Sequence, residues 1–281
     1  MSTAPAQDSA APRRADLHTH TALCKHASGL PEEYLASAER AGLAYLGVSD
    51  HFPAPAGYDA EFRMAPADLP RYFDILRSLR RAAEGGPVRV LFAAEFDYVP
   101  GRMDEVYAAL APFRAEFDYL LGSVHYVGDF AFDDPDKIGE WPRYGVDAVW
   151  DGYLTGLQEF VELGGFNVLA HSDLPKKFGF RPSDYDAVVR RMTAVYECAA
   201  AKGICLELNT AGLRVPADEI YPALKLLQAA FRASMKITLG SDAHKPEHVA
   251  FAFDRAAALA RSVGWKTHTA FVKGEPVDLP L

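Results

Sequence analysis

The sequence predicts a single closed α/β barrel, and three observations carry that expectation. Short apolar runs alternate with helix-like segments, no internal linker divides them, and metal-ligand residue types recur where the apolar runs end. Runs rich in Val, Ile, Leu, Phe and Tyr without early polar alternation suit parallel strands buried on both faces. Uninterrupted strand–helix alternation over 281 residues suits one barrel, which commonly takes about 250.

The expected strands are 15–20, 44–50, 90–98, 119–126, 166–173, 204–210 and 236–242, with a weaker one at 268–274. Helices are expected over 31–42, 67–86, 147–164, 184–202, 217–233 and 246–263. The first begins at Pro31, a good first-turn residue, and ends at Gly42, a good C-cap. The stretch 52–66, FPAPAGYDAEFRMAP, has prolines and no periodicity and reads as a long loop over one face. Residues 1–14 are rich in Ala, Pro and Ser without an apolar run, so they read as a disordered tail rather than a secretory signal. Residues 15–281 then form the catalytic domain.

A net charge of −9 argues against non-specific nucleic-acid binding, though not against a local positive site. No stretch reaches the roughly 18 apolar residues that span a bilayer, so the expected location is the cytoplasm, with no membrane partner. Cys24, Cys198 and Cys205 are too few and scattered for a disulfide framework and read as packed thiols. Oligomeric state is not readable from the chain.

Chemistry is carried by position. The first strand ends in His18 and His20, the second in Asp50 and His51, the third in Glu95 and Asp97 and the fourth in His125. The fifth ends in His171 and Asp173, the sixth in Glu207 and Asn209, and the seventh in Asp242 with His244 two residues on. Barrel enzymes build their sites at that rim. Of nine histidines, only His248 and His268 fall outside the pattern, since His26 lies in the first loop. Residues i and i+2 of a strand share a face, so His18-x-His20 and Asp242-x-His244 each present two ligands to one ion. Seven imidazoles and several carboxylates so placed point to a divalent metal cluster.

At these residues the chain resembles the polymerase-and-histidinol-phosphatase (PHP) superfamily, and within it the monomer-type histidinol-phosphatases of histidine biosynthesis. The matching stretches are DLHTHTALCKHASG, GVSDHFP, EFRM, AAEFDYVPG, DYLLGSVHYVGDFAFDDP, LAHSDLPKKFGF, LELNTAGLR and ITLGSDAHKPEHV, from Asp16 to about Gly264. The resemblance implies a distorted (β/α)7 TIM-like barrel holding three metals. It places His18, His20, Glu95 and Asp242 on the first, Glu95, His125 and His171 on the second, and His26, His51 and His244 on the third. It also implies hydrolysis of L-histidinol phosphate to L-histidinol and phosphate.

Three divalent cations would outweigh the two carboxylates by roughly four charges, which favours an anionic substrate, a small phosphomonoester. Metal-activated hydroxide would attack phosphorus in line. Asp173, Asp50 or a metal-bound water is expected to give the leaving oxygen its proton, although Asp16 and Asp50 also suit a role in orienting imidazoles. Lys176 and Arg63 are expected to hold the phosphate, ahead of Lys177, Arg181 and Arg214. The metal is zinc, iron or manganese by ligand type. The alternatives are a PHP phosphoesterase for another phosphate ester, an amidohydrolase, and a non-catalytic metal-binding domain. The amidohydrolase reading is disfavoured because the fourth strand ends in His125 with no lysine.

Overall fold

The structure, a computed structural model, describes residues 13–281. The expected tail lies outside the described residues except for Arg13 and Arg14. Arg14 accepts the Ala44 N–H at 2.6 Å and pairs with Asp254 at 2.8 Å.

The strands are β1 (Ala15–Asp16), β2 (Tyr45–Val48), β3 (Arg89–Asp97), β4 (Tyr119–Ser123), β5 (Tyr126–Val127), β6 (Phe130–Ala131), β7 (Val168–Leu169), β8 (Cys205–Asn209), β9 (Ile237–Gly240), β10 (Thr267–Val272) and β11 (Glu275–Pro280). The helices are α1 (Pro31–Arg40), α2 (Leu69–Ala82), α3 (Met103–Leu110), α4 (Trp141–Tyr144), α5 (Val146–Leu163), α6 (Tyr185–Ala201), α7 (Leu224–Arg232) and α8 (Phe253–Val263). Seven strands form one parallel sheet in the order β1-β2-β3-β4-β7-β8-β9. The ring is drawn together where Leu17 N–H donates to Leu239 O at 3.0 Å and His20 N–H to Ala243 O at 2.9 Å. The result is the nearly closed seven-strand barrel, with helices around it.

Side-chain alternation divides the core. On β3, Val90, Phe92, Ala94 and Phe96 pack outward in the large cluster that takes in the helices. Leu91 and Ala93 face inward and join Ala15, Leu17, Tyr119, Leu121, Val168 and Cys205 in the barrel interior. Gly47 is needed there: a Cβ would stand 1.8 Å from the Tyr119 hydroxyl, which donates to Leu17 O at 2.6 Å. The β10–β11 hairpin pairs antiparallel and sends Ala270 and Phe271 into the same interior cluster, closing the end away from the strand C-termini. His268 of this hairpin is buried and accepts the Ala15 N–H at 3.1 Å.

The helix expected at 217–233 starts only at Leu224, because Pro222 disfavours a helical residue before it. The one expected at 246–263 starts at Phe253, after a 3-10 turn at Pro246–His248 and the positive φ of Ala250 and Ala252. The strand expected at 166–173 pairs only over Val168–Leu169. No helix among the described residues is long and apolar enough to cross a membrane.

Candidate metal centre

Alternation carries several ligands to the mouth directly. Continuing the inward face of β3 past Ala93 gives Glu95 and Asp97, that of β4 past Leu121 gives Ser123 and His125, and that of β8 past Cys205 gives Glu207 and Asn209. Strands β1 and β7 have only two residues each, and the chain then turns out of strand geometry. His171 has φ +23° and Asp242 φ +51°, conformations uncommon for such residues, which re-aim both at the mouth.

Glu95 is the hub. Its Oε2 lies 3.3 Å from His18 Nε2, 3.7 Å from His20 Nε2 and 3.0 Å from His51 Nδ1. Its Oε1 lies 3.1 Å from His171 Nε2 and 3.8 Å from His125 Nε2. Asp242 Oδ1 is 3.2 Å from His20 Nε2 and 3.8 Å from His18 Nε2. Four groups drawn from these residues have their donor atoms within 4.8 Å of one another: His18, His20 and Glu95; Glu95, His125 and His171; His18, His171 and Asp242; and His26, His51 and His244. All nine expected ligand residues are thus brought together. Cys24, fully buried, forms a further such group with His20 and His244.

In five of the seven imidazoles the second nitrogen is held from behind. His18 Nδ1 meets Glu207 Oε1 at 2.7 Å, His125 Nδ1 meets Asp97 Oδ1 at 2.7 Å, and His20 Nδ1 lies 3.4 Å from Asp50 Oδ1. Carboxylates in this position fix the ring and raise its basicity toward a metal. His26 Nδ1 and His244 Nδ1 instead meet the carbonyls of Cys24 at 2.8 Å and Asp242 at 3.1 Å. Glu207 and Asp97 stand out among strand-end acids only through the atoms they touch. Alternation alone places them at the mouth without distinguishing ligand from brace.

The donor set fits divalent cations. His18 Nε2, His20 Nε2, His171 Nδ1, His244 Nε2 and Glu95 Oε2 are buried without a hydrogen-bond partner. Burial opposes ionisation of Glu95 and Asp242, yet the surrounding imidazoles hold both carboxyls well below the ordinary range. Burial pushes His26, His51 and His244 down, toward the neutral ring that a metal requires. Burial also opposes charge on His18 and His20, but neighbouring carboxylates hold both well above the usual histidine value, so the cluster demands positive charge.

The donors open into a cavity of about 420 Å³. Its wall includes Arg63, Lys177 and Arg214, together with Asp133, Tyr126, Tyr221 and His248. Two expectations need correcting. Lys176 is fully buried behind the wall, and its ammonium is taken up by Asp173 at 2.8 Å, Glu219 at 3.0 Å and the Ile220 carbonyl at 2.9 Å, so it has no donor left for phosphate. Asp50 is likewise fully buried, with its carboxylate occupied by Thr21, His20 and the His51 N–H, which makes it a brace rather than an acid. Asp173 is equally buried and off the cavity wall, and it bonds Lys176 and the Ala223 N–H through Oδ2, while its Oδ1 has no partner. Arg63 does reach the cavity, paired with Asp97 and with Asp59 at 3.0 Å, and its Nη1 lies 2.8 Å from His51 Nδ1. Arg214 donates from Nη2 to the carbonyls of Ser241 at 2.8 Å and Asp242 at 3.1 Å, while its Nη1 has no partner. Arg181 pairs with Glu219 at 3.2 Å, away from the cavity wall.

Comparison with known proteins gives the family and the fold. A Deinococcus radiodurans protein named "Probable histidinol-phosphatase" is 37% identical over 254 residues, covering 90% of this chain and 95% of its own. The histidinol-phosphatase of Bacillus subtilis is 24% identical over 86% of this chain and 97% of its own. A crystal structure of histidinol phosphate phosphatase from Lactococcus lactis, complexed with zinc, L-histidinol and phosphate, shares the fold with a TM-score of 0.78. It is 21% identical and covers 94% of this chain and 99% of its own. The PHP domain family matches residues 16–211, and with that match over most of its length the chain belongs to the PHP domain family.

Proposed function

We propose that this chain is a metal-dependent histidinol-phosphatase, hydrolysing L-histidinol phosphate to L-histidinol and phosphate. The observation that carries the reading is the convergence of nine ligand-type residues, seven of them lining one cavity that also presents Arg214 and Lys177. The likeness to the Deinococcus protein over nearly the whole chain supports the substrate.

On this reading His18, His20, Glu95 and Asp242 hold one ion, Glu95, His125 and His171 a second, and His26, His51 and His244 a third. Zinc, iron and manganese all suit these donors. When bound, divalent metals polarise phosphoryl oxygens and lower the pKa of water for in-line displacement.

The chain's own residues do the rest. Glu207, Asp50 and Asp97 keep the imidazoles oriented. The free Nη1 of Arg214 and the ammonium of Lys177, which also holds Asp133 at 3.2 Å, draw the phosphate into an otherwise acidic protein. Arg63 adds its charge from the wall while holding Asp97. Asp173, buried off the cavity wall but with one oxygen unshared, is the acid assigned to protonate the leaving oxygen.

Phosphate release is measured across a panel of monoesters before and after chelation and metal add-back. L-Histidinol phosphate is expected to lead by kcat/KM, with activity lost on chelation and restored by metal. Full activity in protein shown to be metal-free, or a better substrate elsewhere in the panel, overturns the reading. In the same panel Asp173→Asn should slow histidinol phosphate far more than p-nitrophenyl phosphate, whose leaving group needs no proton. Equal losses on the two would remove Asp173 from that role.

A further inference from the structure

Glu207 ends β8 and is buried, and its two oxygens serve different strands. Oε1 accepts from His18 Nδ1 at 2.7 Å, beyond the end of β1. Oε2 accepts the backbone N–H of His171 at 2.9 Å, beyond the end of β7, and the Asn209 amide at 3.1 Å. Donors thus occupy both oxygens, and Glu207 appears in none of the groups of potential ligands.

Space for this arrangement is kept open by Gly240 on β9. A Cβ there would stand 1.9 Å from Glu207 Oε1 and 2.9 Å from His18 Cβ. The His171 contact is also more than incidental. At φ +23° the residue sits outside strand geometry, and a hydrogen bond from a fixed carboxylate to its N–H helps hold that conformation. By comparison, Asp97 reaches only one of the candidate ligands, His125, and otherwise binds Arg63.

We propose that Glu207 is a positioning residue that couples the two buried metal sites, aligning His18 of the first through its ring and His171 of the second through its backbone. The proposal rests on the metal-centre reading above. Loss of the carboxylate disturbs one ligand in each site at once, whereas loss of Asp97 disturbs one ligand in one site.

The test is metal content after dialysis of wild type, Glu207→Ala, Glu207→Gln and Asp97→Asn against zinc or manganese at graded free concentrations set by a chelator. Circular dichroism and Tm are read alongside. Glu207→Ala is expected to release two equivalents together, each site weakened about 10–100-fold, and Asp97→Asn to release one. Glu207→Gln keeps the shape but has a single acceptor, so it serves only one of the two neighbours and weakens at least one site.

Folded Glu207 variants that hold both equivalents like wild type overturn the proposal. So does Glu207→Ala losing one equivalent alone. Loss of fold in both Glu207 variants also overturns it, because the residue would then serve the fold and not the metals. A wild-type protein that takes up no divalent metal would instead overturn the underlying reading.

Discussion

The two halves of the mouth are built differently. The inner half is the more buried: His18, His20, Glu95, His125 and His171 are all buried, Asp242 is half-buried, and three of the four imidazoles rest on carboxylates. The outer half, His26, His51 and His244, is more open, with His26 exposed and His244 half-buried. There the supporting acceptors of His26 and His244 are neutral backbone carbonyls, and the buried His51 faces both Arg63 and the Glu95 carboxylate. An anionic acceptor strengthens an imidazole as a metal donor more than a carbonyl does, and burial slows exchange with water. The contrast predicts a tightly held inner pair and an outer ion that follows supply.

The largest effect is expected from Glu95→Ala, which removes the one carboxylate facing both inner groups. Several kcal/mol of charge stabilisation depend on it, so kcat/KM with L-histidinol phosphate should fall by about 10³-fold or more. A fall of tenfold or less would move the chemistry away from the inner half. An intermediate effect separates the halves directly. Asp97→Asn should weaken one inner site by about 10–100-fold. His26→Ala should instead regain most of its activity when free metal is raised. Activity against chelator-buffered metal reads both, and a His26 variant harder to rescue than the Asp97 variant would invert the comparison. The smallest effect on ligand binding is expected at Lys176. Lys177→Met should weaken inhibition by inorganic phosphate by about tenfold, the worth of one charge-assisted bond. Lys176→Met should leave that inhibition unchanged and cost about 3–5 kcal/mol of stability by stranding a buried carboxylate.

The barrel was legible because β3, β4 and β8 obey simple alternation, and the apolar runs lead to their ligands in step. The nine candidate ligands were legible from strand-end position together with the quoted motifs. Side-chain direction was not. Lys176 and Lys177 are neighbours, yet one turns inward to Asp173 and the other lines the cavity, and no local pattern separates them. Asp50 lies one residue off the inward face of β2 that continues through Gly47 and Ser49 to His51, which places it behind His20. His248 lies on no strand end, yet a 3-10 turn brings it to the cavity wall. Glu207 differs from a ligand only by which donors reach it, a fact of long-range contact.

Strand β3 is the longest of the parallel strands, and two of its side chains, two residues apart, serve the centre: Glu95 facing the donors and Asp97 behind His125. Sliding it by one position against β2 and β4 would turn both acids toward the surrounding helices and present Ala94 and Phe96 to the mouth. Such a chain would keep much of its apolar burial and lose its chemistry. The pairing of Leu46 with Val90, and of Leu121 with Glu95, therefore guards function as strictly as any residue that touches substrate.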